Sequence, residues 1–512
     1  MDESSREKKK QTNLIQTALP PPPSSSLSSL VMPTVKIVEF DSVASPPEDL
    51  LLRLSALEAP WVVIPVIQRV FLFDDAGSQH PPFATLVGSL RASLAATLAR
   101  LPPLAGRIVF LPSTGDAAID CSASEGSGVR FIVAESDEAD AGRLGGDADH
   151  DVDAFKAFVP KLKVDVLPAE VLAVQVTRLK GGVAVGVAMH HAVVDGRSVW
   201  RFFQAWAAAC RGDDAAAEAV VAGLTFDRAV IALPGGEELT RSTLRKYAPN
   251  LPLIDSVKLK SRRDSRSSSN GLLSNKHSRH STLQDINLFP NAPINLPRRT
   301  FTVTTQHIDR LKQRISGHTI SAQAGSTPAP SSFVAVVALA WVSFVRAKHP
   351  AVISADHDVY VFFFIDCRGR RGIDPPVGEN YFGTCITGCL AKATARDLLA
   401  VDGFAAATAA VQREVRRAAE DPLALWDWMD LLSWLPMDRM VNISGSPRYP
   451  AYEVADFGWG APSRTELITM NNCGQVVLVA AKGGGGSVQA SVCMHPDHMG
   501  AFKSHFLNSL SG

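Results

Sequence analysis

Two adjacent histidines, His190 and His191, end the apolar segment GVAVGVAMHH and are the residues best suited to chemistry. The apolar run from Gly182 predicts a strand that ends here, so the next side chain leaves the core. A neutral imidazole at the edge of a partly desolvated pocket can take a proton from a hydroxyl or an amine. Asp195 is followed by a glycine, and its carboxylate would hold either the His191 ring or the loop after the strand. From this segment alone, a structural core histidine is an equal alternative.

The remaining polar clusters predict weaker sites or none. His495 and His498 lack an evident third ligand, so we predict no metal site. The carboxylates of WDWMD, Trp426–Asp430, favour an ordinary amphipathic helix over an acid–base pair. The seven cysteines are an odd number without CxxC spacing, which indicates free thiols. A GxSxG nucleophile in a strand–turn–helix setting is absent from the sequence, which argues against a hydrolase.

Strands and helices must position these groups, and the first half of the chain predicts both. Leucines at helical spacing over Leu86–Leu101 predict a helix that ends before Pro102. Val171–Leu179 and Val183–His190 predict two strands joined by the turn KGG. A helix from about Ser198 to Cys210 follows them.

The second half of the chain continues the mixed pattern. RRTFTVTTQHIDRLKQRI predicts a strand and then a helix, and SSFVAVVALAWVSFVRAKH predicts an apolar helix capped by Ser331 or Ser332. DVYVFFFIDCRGRRG predicts a buried strand that leaves the core at Asp366. Gly483–Gly486 predicts a hairpin turn, because the lysine and hydroxyl residue of a phosphate loop do not follow it. The predicted fold class is α/β.

The composition excludes several classes of partner. The chain has 51 Lys and Arg against 51 Asp and Glu, so no net field attracts nucleic acid or an anionic membrane. No apolar run approaches about 18 residues, which predicts no membrane span. The N-terminus lacks an apolar signal core and carries Asp2, Glu3 and Glu7, which a transit peptide would avoid. The predicted location is cytoplasmic.

A chain of 512 residues is too long for one ordinary core, which predicts two domains. Low complexity predicts a disordered tail over 1–33. Residues 258–297 are polar, and their basic tract KLKSRRDSR lacks the aromatic residues that stack on RNA bases, so a solvated crossover is favoured. We therefore predict an N-terminal domain over 34–235, a crossover with a disordered insert over 236–297, and a C-terminal domain over 298–512.

Two motifs carry a family resemblance. HHAVVDG, His190–Gly196, and DFGWG, Asp456–Gly460, resemble the HxxxDG and DFGWG signatures of the BAHD acyl-CoA-dependent acyltransferases of plants. Shorter segments similar to that family cover nearly the whole ordered chain, among them LPPLAGRI, TFDRAVI, SSFVAVVALAW, DCRGR and ENYFGTC. The N-terminal tail and residues 258–297 have no such counterpart.

The resemblance implies a fold and a reaction. The fold would be two similar-sized α/β domains, each a mixed sheet flanked by helices, as in chloramphenicol acetyltransferase, with the active-site channel between them. His191 would be the general base, removing the proton of an acceptor hydroxyl as its oxygen attacks the thioester carbon. CoA thiolate then leaves without an acyl-enzyme, so acyl-CoA is a co-substrate and no cofactor is permanently bound.

The resemblance also implies roles for individual residues. Asp456 would be catalytic together with His191 or, in the alternative interpretation, structural, whereas Gly458, Trp459 and Gly460 would give backbone shape and packing beside the CoA channel.

Asp195 has two interpretations. It either partners His191 in a catalytic dyad or forms a structural salt bridge, with Arg368 of DCRGR as the suggested partner. The salt bridge is favoured because a carboxylate at the start of a helix readily fixes a loop. Contacts to acyl-CoA are assigned to Ser331, Ser332 and Arg448.

The segment NYFGTC, Asn380–Cys385, indicates the donor. It is similar to the YFGNC stretch of anthocyanin and phenolic-glucoside malonyltransferases, with Thr384 in place of asparagine. The resemblance therefore implies malonyl-CoA as donor and a phenolic or flavonoid glucoside as acceptor, and we expect a monomer. Malonate carries a free carboxylate that needs a cation, for which Arg448 is the candidate, with a surface or structural arginine as the alternative. The alternatives are an acetyl- or hydroxycinnamoyl-CoA transferase acting on an alcohol or amine, and a non-catalytic binding protein of the same fold.

Overall fold

The computed structural model describes residues 34–44, 46, 48–64, 66–75, 80–122, 128–248, 251, 296–320, 329–470 and 472–511. The predicted tail over 1–33 and almost all of segment 258–297 therefore lie outside the described residues. Pro33–Gly512 forms one compact unit.

The strands follow the apolar stretches of the sequence. In chain order they are β1 (Lys36–Val43), β2 (Leu51–Arg53), β3 (Val66–Asp74), β4 (Arg107–Leu111), β5 (Asp116–Asp120), β6 (Val129–Asp140), β7 (Ala169–Glu170), β8 (Leu172–Lys180), β9 (Gly182–His190), β10 (Arg298–Val303), β11 (Asp358–Asp366), β12 (Ile386–Thr394), β13 (Met440–Gly445), β14 (Arg464–Leu467), β15 (Gln475–Ala480) and β16 (Val488–Cys493).

The α-helices lie between these strands. They are α1 (Phe83–Arg100), α2 (Ala141–Gly146), α3 (Val152–Ala157), α4 (Gly196–Cys210), α5 (Asp214–Val221), α6 (Gly236–Tyr247), α7 (Thr305–Ile320), α8 (Ser332–Lys348), α9 (Ala395–Leu399), α10 (Gly403–Glu420), α11 (Trp428–Trp434) and α12 (Pro496–Ser511). Among the described residues, no helix is both long and apolar enough to cross a bilayer.

The first sheet is mixed, with the strand order β1-β6-β8-β9-β3-β14. β6 and β8 run parallel, whereas β8 and β9 form the predicted antiparallel hairpin. β14 belongs to the segment 298–512 but pairs antiparallel with β3 of the first half. Both halves of the chain therefore build the sheet that carries the histidine pair, which the sequence did not predict.

Helices α1 and α4 cover this first sheet. The leucine spacing gives α1 an apolar stripe, and Leu90 and Leu94 are fully buried. Phe202 and Trp206 of α4 are buried in the same core, and the indole N–H of Trp206 donates to the Leu90 carbonyl at 3.1 Å. Because α4 starts at Gly196, its packing against α1 also fixes the loop that follows β9.

The second sheet has the order β10-β16-β15-β13-β11-β12 and is also mixed, since β13 runs parallel to both β11 and β15. Helix α8 is apolar on nearly every face and is buried against this sheet, α10 and α12. β11 ends at Asp366 and Gly483–Gly486 connects β15 to β16, both as predicted. A small third sheet has the order β2-β5-β4-β7. The predicted α/β class with two mixed sheets is confirmed.

Candidate active site

His190 is a core residue. Its side chain is buried at the end of β9, and its backbone N–H donates to the Val171 carbonyl at 2.7 Å. Its Nδ1 accepts from the Ala192 N–H at 3.2 Å, which starts the turn after the strand. Burial, with a smaller contribution from His191, lowers the pKa of His190 to about 3. This imidazole is therefore neutral and structural.

His191 leaves the core at the strand end and stacks on an indole. Its ring centroid lies 3.7 Å from that of Trp61, with 15° between the planes. Trp61 is itself buried and contacts Phe364 and Trp428 at centroid distances of 5.1 and 5.2 Å. Among the described residues, the Nδ1 atom of His191 is buried and has no hydrogen-bond partner, whereas Nε2 is not among the buried unpaired atoms. We call Trp61, Phe364 and Trp428 the aromatic wall.

The electrostatics of the site keep the His191 imidazole neutral. Burial lowers its pKa to about 4, and the neighbouring backbone groups and the Asp195 charge raise it only in part. A pKa below neutrality means that nearly all of the ring is unprotonated at pH 7 and able to accept a proton.

Asp195 is occupied by structural contacts and makes no hydrogen bond to the His191 ring. Its Oδ1 accepts from the Ser198 N–H at 3.0 Å, which caps α4. Its Oδ2 accepts from Arg368 Nη1 at 2.7 Å and from the Cys385 N–H at 3.0 Å. Burial opposes ionisation, but the Arg368 charge and these hydrogen bonds outweigh it and hold the pKa of Asp195 below its usual range. The suggested Asp195–Arg368 ion pair is therefore present.

Arg368 connects the histidine loop to the segment Asn380–Cys385. Its Nε donates to the Tyr381 carbonyl and its Nη2 to the Gly383 carbonyl, each at 2.9 Å. The guanidinium is fully buried, and its partners are spread over both halves of the chain. Arg368 thus fixes the position of this segment under the histidine loop.

Two residues that hold the site together, Thr384 and Glu58, were not identified from the sequence. Thr384 Oγ1 donates to the backbone carbonyl of His191 at 2.6 Å. The fully buried Glu58 accepts from the Tyr381 hydroxyl at 2.8 Å and from the Thr384 N–H at 3.3 Å. The threonine that replaces asparagine in NYFGTC was a usable signal, although it was interpreted in terms of the donor. Glu58 carried no signal, because only the folded chain brings it to this loop.

We expect Thr384→Val to lower kcat about tenfold while leaving KM for acyl-CoA unchanged, because the isosteric side chain loses the hydrogen bond to the His191 carbonyl. Thr384→Ser keeps the hydroxyl and is the matched control, with kcat within about twofold of wild type. Steady-state kinetics measure both. A valine variant with wild-type kcat would show that this bond does not position His191.

The DFGWG segment forms a closed turn. Asp456 Oδ1 accepts from the N–H groups of Gly458 and Gly460 at 2.9 and 3.0 Å. Both glycines have positive φ, 106° and 94°, which other residues rarely adopt. Phe457 and the Trp459 ring stack at 5.6 Å, and Arg211 donates to the Asp456 carbonyl. Among the described residues Asp456 has no hydrogen bond or ion pair with His191, so its contacts are those of a turn-forming residue.

The residues assigned to acyl-CoA lie at two places. Ser331 caps α8 by accepting from the Val334 N–H at 3.3 Å, and Ser332 Oγ accepts from Lys312 at 3.2 Å. Arg448 is exposed, and its backbone N–H donates to Ser446 Oγ at 3.2 Å. The structure does not bring Arg448 into contact with either serine.

The weaker polar clusters have ordinary structural roles. His495 and His498 lie at the start of α12, and no group of three potential metal ligands occurs among the described residues. Asp427 accepts from Lys246 at 2.9 Å and from the Tyr247 hydroxyl, which joins α11 to α6. The predicted amphipathic helix at WDWMD is present as α11, with Trp428 in the aromatic wall.

The described site offers one neutral base, the imidazole of His191. Burial keeps the thiol of Cys385, whose N–H donates to Asp195, protonated by raising its pKa far above the usual value, so it is no nucleophile. A base alone suffices when the acyl group arrives activated as a thioester. Acyl-CoA-dependent acyltransferases are the class with this requirement. A model described as the Transferase family matches residues 42–508, and the chain belongs to this family, the BAHD acyltransferases, which use acyl-CoA as co-substrate.

Individual proteins are similar over nearly their whole length. Malonyl-CoA:anthocyanidin 5-O-glucoside-6''-O-malonyltransferase of Arabidopsis thaliana is 29% identical over 488 residues, 92% of this chain and 97% of that protein. Coumaroyl-CoA:anthocyanidin 3-O-glucoside-6''-O-coumaroyltransferase 2 of Arabidopsis thaliana is 25% identical over 468 residues, 88% and 92% of the two chains. The crystal structure of vinorine synthase, at 20% identity, has a TM-score of 0.62 over 93% of this chain and 98% of its own, which supports the fold.

Proposed function

We propose that the protein transfers a malonyl group from malonyl-CoA to a sugar hydroxyl of a phenolic or flavonoid glucoside, with His191 as the general base. The observation that carries the proposal is the neutral imidazole of His191, stacked on Trp61 and held by the Thr384 hydrogen bond to its backbone. Such a ring has a fixed plane, and in the tautomer with the hydrogen on Nδ1 its Nε2 has the free lone pair that proton abstraction requires.

The reaction follows from one proton transfer. Nε2 of His191 takes the proton of the acceptor hydroxyl while its oxygen forms a bond to the thioester carbonyl carbon. The tetrahedral intermediate collapses, the C–S bond breaks, and the CoA thiolate recovers the proton from the imidazolium. Asp195 and Arg368 hold the loop during these steps and exchange no proton. In this proposal Asp456 also acts as a structural residue, which departs from the catalytic role implied by the sequence.

The aromatic wall supports an aromatic acceptor. Trp61, Phe364 and Trp428 pack together directly beside His191. Phe364 is the member of the wall that stays partly exposed, so an aglycone ring that packs on it gains contact area and edge-to-face interactions and brings its sugar hydroxyl near the base. This arrangement favours a glucoside of a phenol or flavonoid over an aliphatic alcohol.

Two features support the assigned acyl-CoA contacts. The start of α8 places the positive end of the helix beside Lys312, which suits the phosphates of CoA. Arg448 is next to Tyr449, and a Cβ at Gly196 would lie 2.8 Å from the Tyr449 hydroxyl. Arg448 is thus close in sequence to a residue packed on the histidine loop, and it has no ion pair among the described residues.

The donor is the part of the proposal that kinetics test most directly. We expect kcat/KM to be highest for malonyl-CoA when malonyl-, acetyl- and p-coumaroyl-CoA are compared with one phenolic glucoside. Arg448→Ala should lose malonyl-CoA turnover selectively, by about tenfold or more, because it removes the cation that pairs with the free carboxylate. Arg416→Ala, which removes an exposed arginine on α10, is the matched control and should change neither donor.

Other outcomes would change the proposal in defined ways. Equal losses on malonyl- and acetyl-CoA would remove Arg448 from carboxylate recognition. A wild-type preference for p-coumaroyl-CoA, the donor in the name of one similar protein, would replace the malonyl donor but keep the acyltransferase. No transfer to any hydroxyl or amine acceptor would favour a binding protein of the same fold. We also propose that the protein is cytoplasmic and monomeric, and that its active-site channel lies between two domains.

A further inference from the structure

A basic cavity lies among the helices that cover the second sheet, built from side chains other than those that contact His191. It has a volume of about 380 Å³, opens to the surface, and is lined by residues of α7, α8, α10 and α12. Its walls carry Arg314, Arg346 and His505, with Asn508 and Ser509 beside them and Phe404 as an apolar surface. We call it the arginine cavity.

Two guanidinium groups share one aromatic ring in this cavity. The Cζ atom of Arg314 lies 4.3 Å and that of Arg346 5.4 Å from the Phe404 ring centroid. Burial lowers the pKa of both arginines, and the Arg346 charge lowers that of Arg314 further. Among the described residues neither guanidinium forms a salt bridge with a carboxylate. The cavity therefore holds two like charges, partly desolvated, without a counterion from the described chain.

Hydrogen-bond donors in the cavity are also unused. Arg346 Nη2 donates to the Ala400 carbonyl at 3.3 Å, but Arg314 Nε and Nη2 are buried and have no acceptor among the described residues. Buried donors are normally paired, and an unpaired charged donor is costly. An acceptor that enters the cavity with negative charge satisfies both the donors and the charges.

We propose that the arginine cavity binds a phosphate group, either as free phosphate or as the monophosphate ester of a small molecule. Two guanidinium forks match the oxygens of a tetrahedral dianion, and Asn508 and Ser509 add neutral donors. The volume exceeds that of a bare phosphate, so an ester with a short body also fits. The site is separate from the catalytic histidine, and this inference does not depend on the proposed function.

Equilibrium dialysis at low ionic strength measures the binding of inorganic phosphate to the whole protein. Saturating CoA is present throughout, so that the substrate channel is occupied. We expect one phosphate per chain in wild type and about tenfold or weaker affinity in Arg314→Gln and in Arg346→Gln. Arg416→Gln removes one exposed positive charge from α10 and should bind phosphate as wild type does. Acyl transfer measured without phosphate should be unchanged in all three variants.

Two further measurements decide the remaining outcomes. Arg314→Lys keeps the charge but loses the planar fork, so it should fold and still bind phosphate more weakly than wild type. Glycerol phosphate distinguishes the two sources: tighter binding than phosphate indicates an ester ligand, and weaker binding indicates free phosphate. Equal phosphate affinity in wild type and in the Arg314 and Arg346 variants, or no phosphate bound by wild type, would overturn the proposal.

Discussion

His191→Ala should lower kcat for acyl transfer by roughly 10²–10⁴-fold, the usual contribution of a general base. The ring is neutral, its Nδ1 is buried, and Nε2 is the nitrogen free to meet the acceptor hydroxyl. KM for acyl-CoA should change little, because His191 takes part in the transition state more than in donor binding. Turnover of malonyl-CoA with a phenolic glucoside, in variant and wild type at equal concentration, measures the effect.

The pH dependence of the wild-type enzyme gives a second readout for His191. Its pKa is lowered from 6.5 to about 4 by burial, and the base works in its unprotonated form. Activity should therefore persist as the pH falls below 6.5 and be lost only as the pH approaches about 4–5.

Near wild-type kcat in His191→Ala, with the fold intact by circular dichroism, would remove His191 from catalysis.

Asp195→Asn should destabilise the protein by about 3–5 kcal/mol, because it leaves the Arg368 guanidinium buried without its closest counterion. Both side chains are fully buried and their charged atoms are 2.7 Å apart. The same carboxylate caps α4 and accepts from Cys385, so the histidine loop and the 380–385 segment lose their common anchor. The free energy of unfolding from urea denaturation measures the change.

Asp366→Asn is the matched control for Asp195. Asp366 also accepts from Arg368 Nη1, at 2.9 Å, but its side chain is 35% exposed, so the expected loss of stability is much smaller. A double variant, Asp195→Asn with Arg368→Met, removes both buried charges and should recover part of the stability. A stable Asp195→Asn protein with a selective loss of kcat would instead support the catalytic dyad.

Local features of the site were predictable because they are encoded in short segments. The hairpin that ends at His190 follows from apolar alternation, and the helix predicted from about Ser198 is present as α4, which Asp195 caps so that it begins at Gly196. The contact between Asp195 and Arg368 was suggested by the motif resemblance, since a buried aspartate requires a cation.

The contacts that shape the His191 ring were not predictable in this way. Trp61 is 130 positions before His191, and Glu58 meets Thr384 over 326 positions. Periodicity identifies which residues are buried but not which buried residues touch, since that depends on how two halves of the chain pack. The sequence likewise did not indicate that both side-chain hydrogen bonds of Asp456 would be made within its own turn.

The pairing of β14 with β3 has a consequence for recombination between relatives. From the sequence, residues 249–295 would be chosen for the junction of a chimera, because the polar segment separates the two halves of the chain. A chimera joined there takes β3 from one parent and β14 from the other, so Arg464–Leu467 must match Arg69–Leu72 across the junction. Parents whose halves are to be exchanged must therefore be compatible at these strand positions and at Asp195–Arg368, as well as at the other contacts that cross the junction.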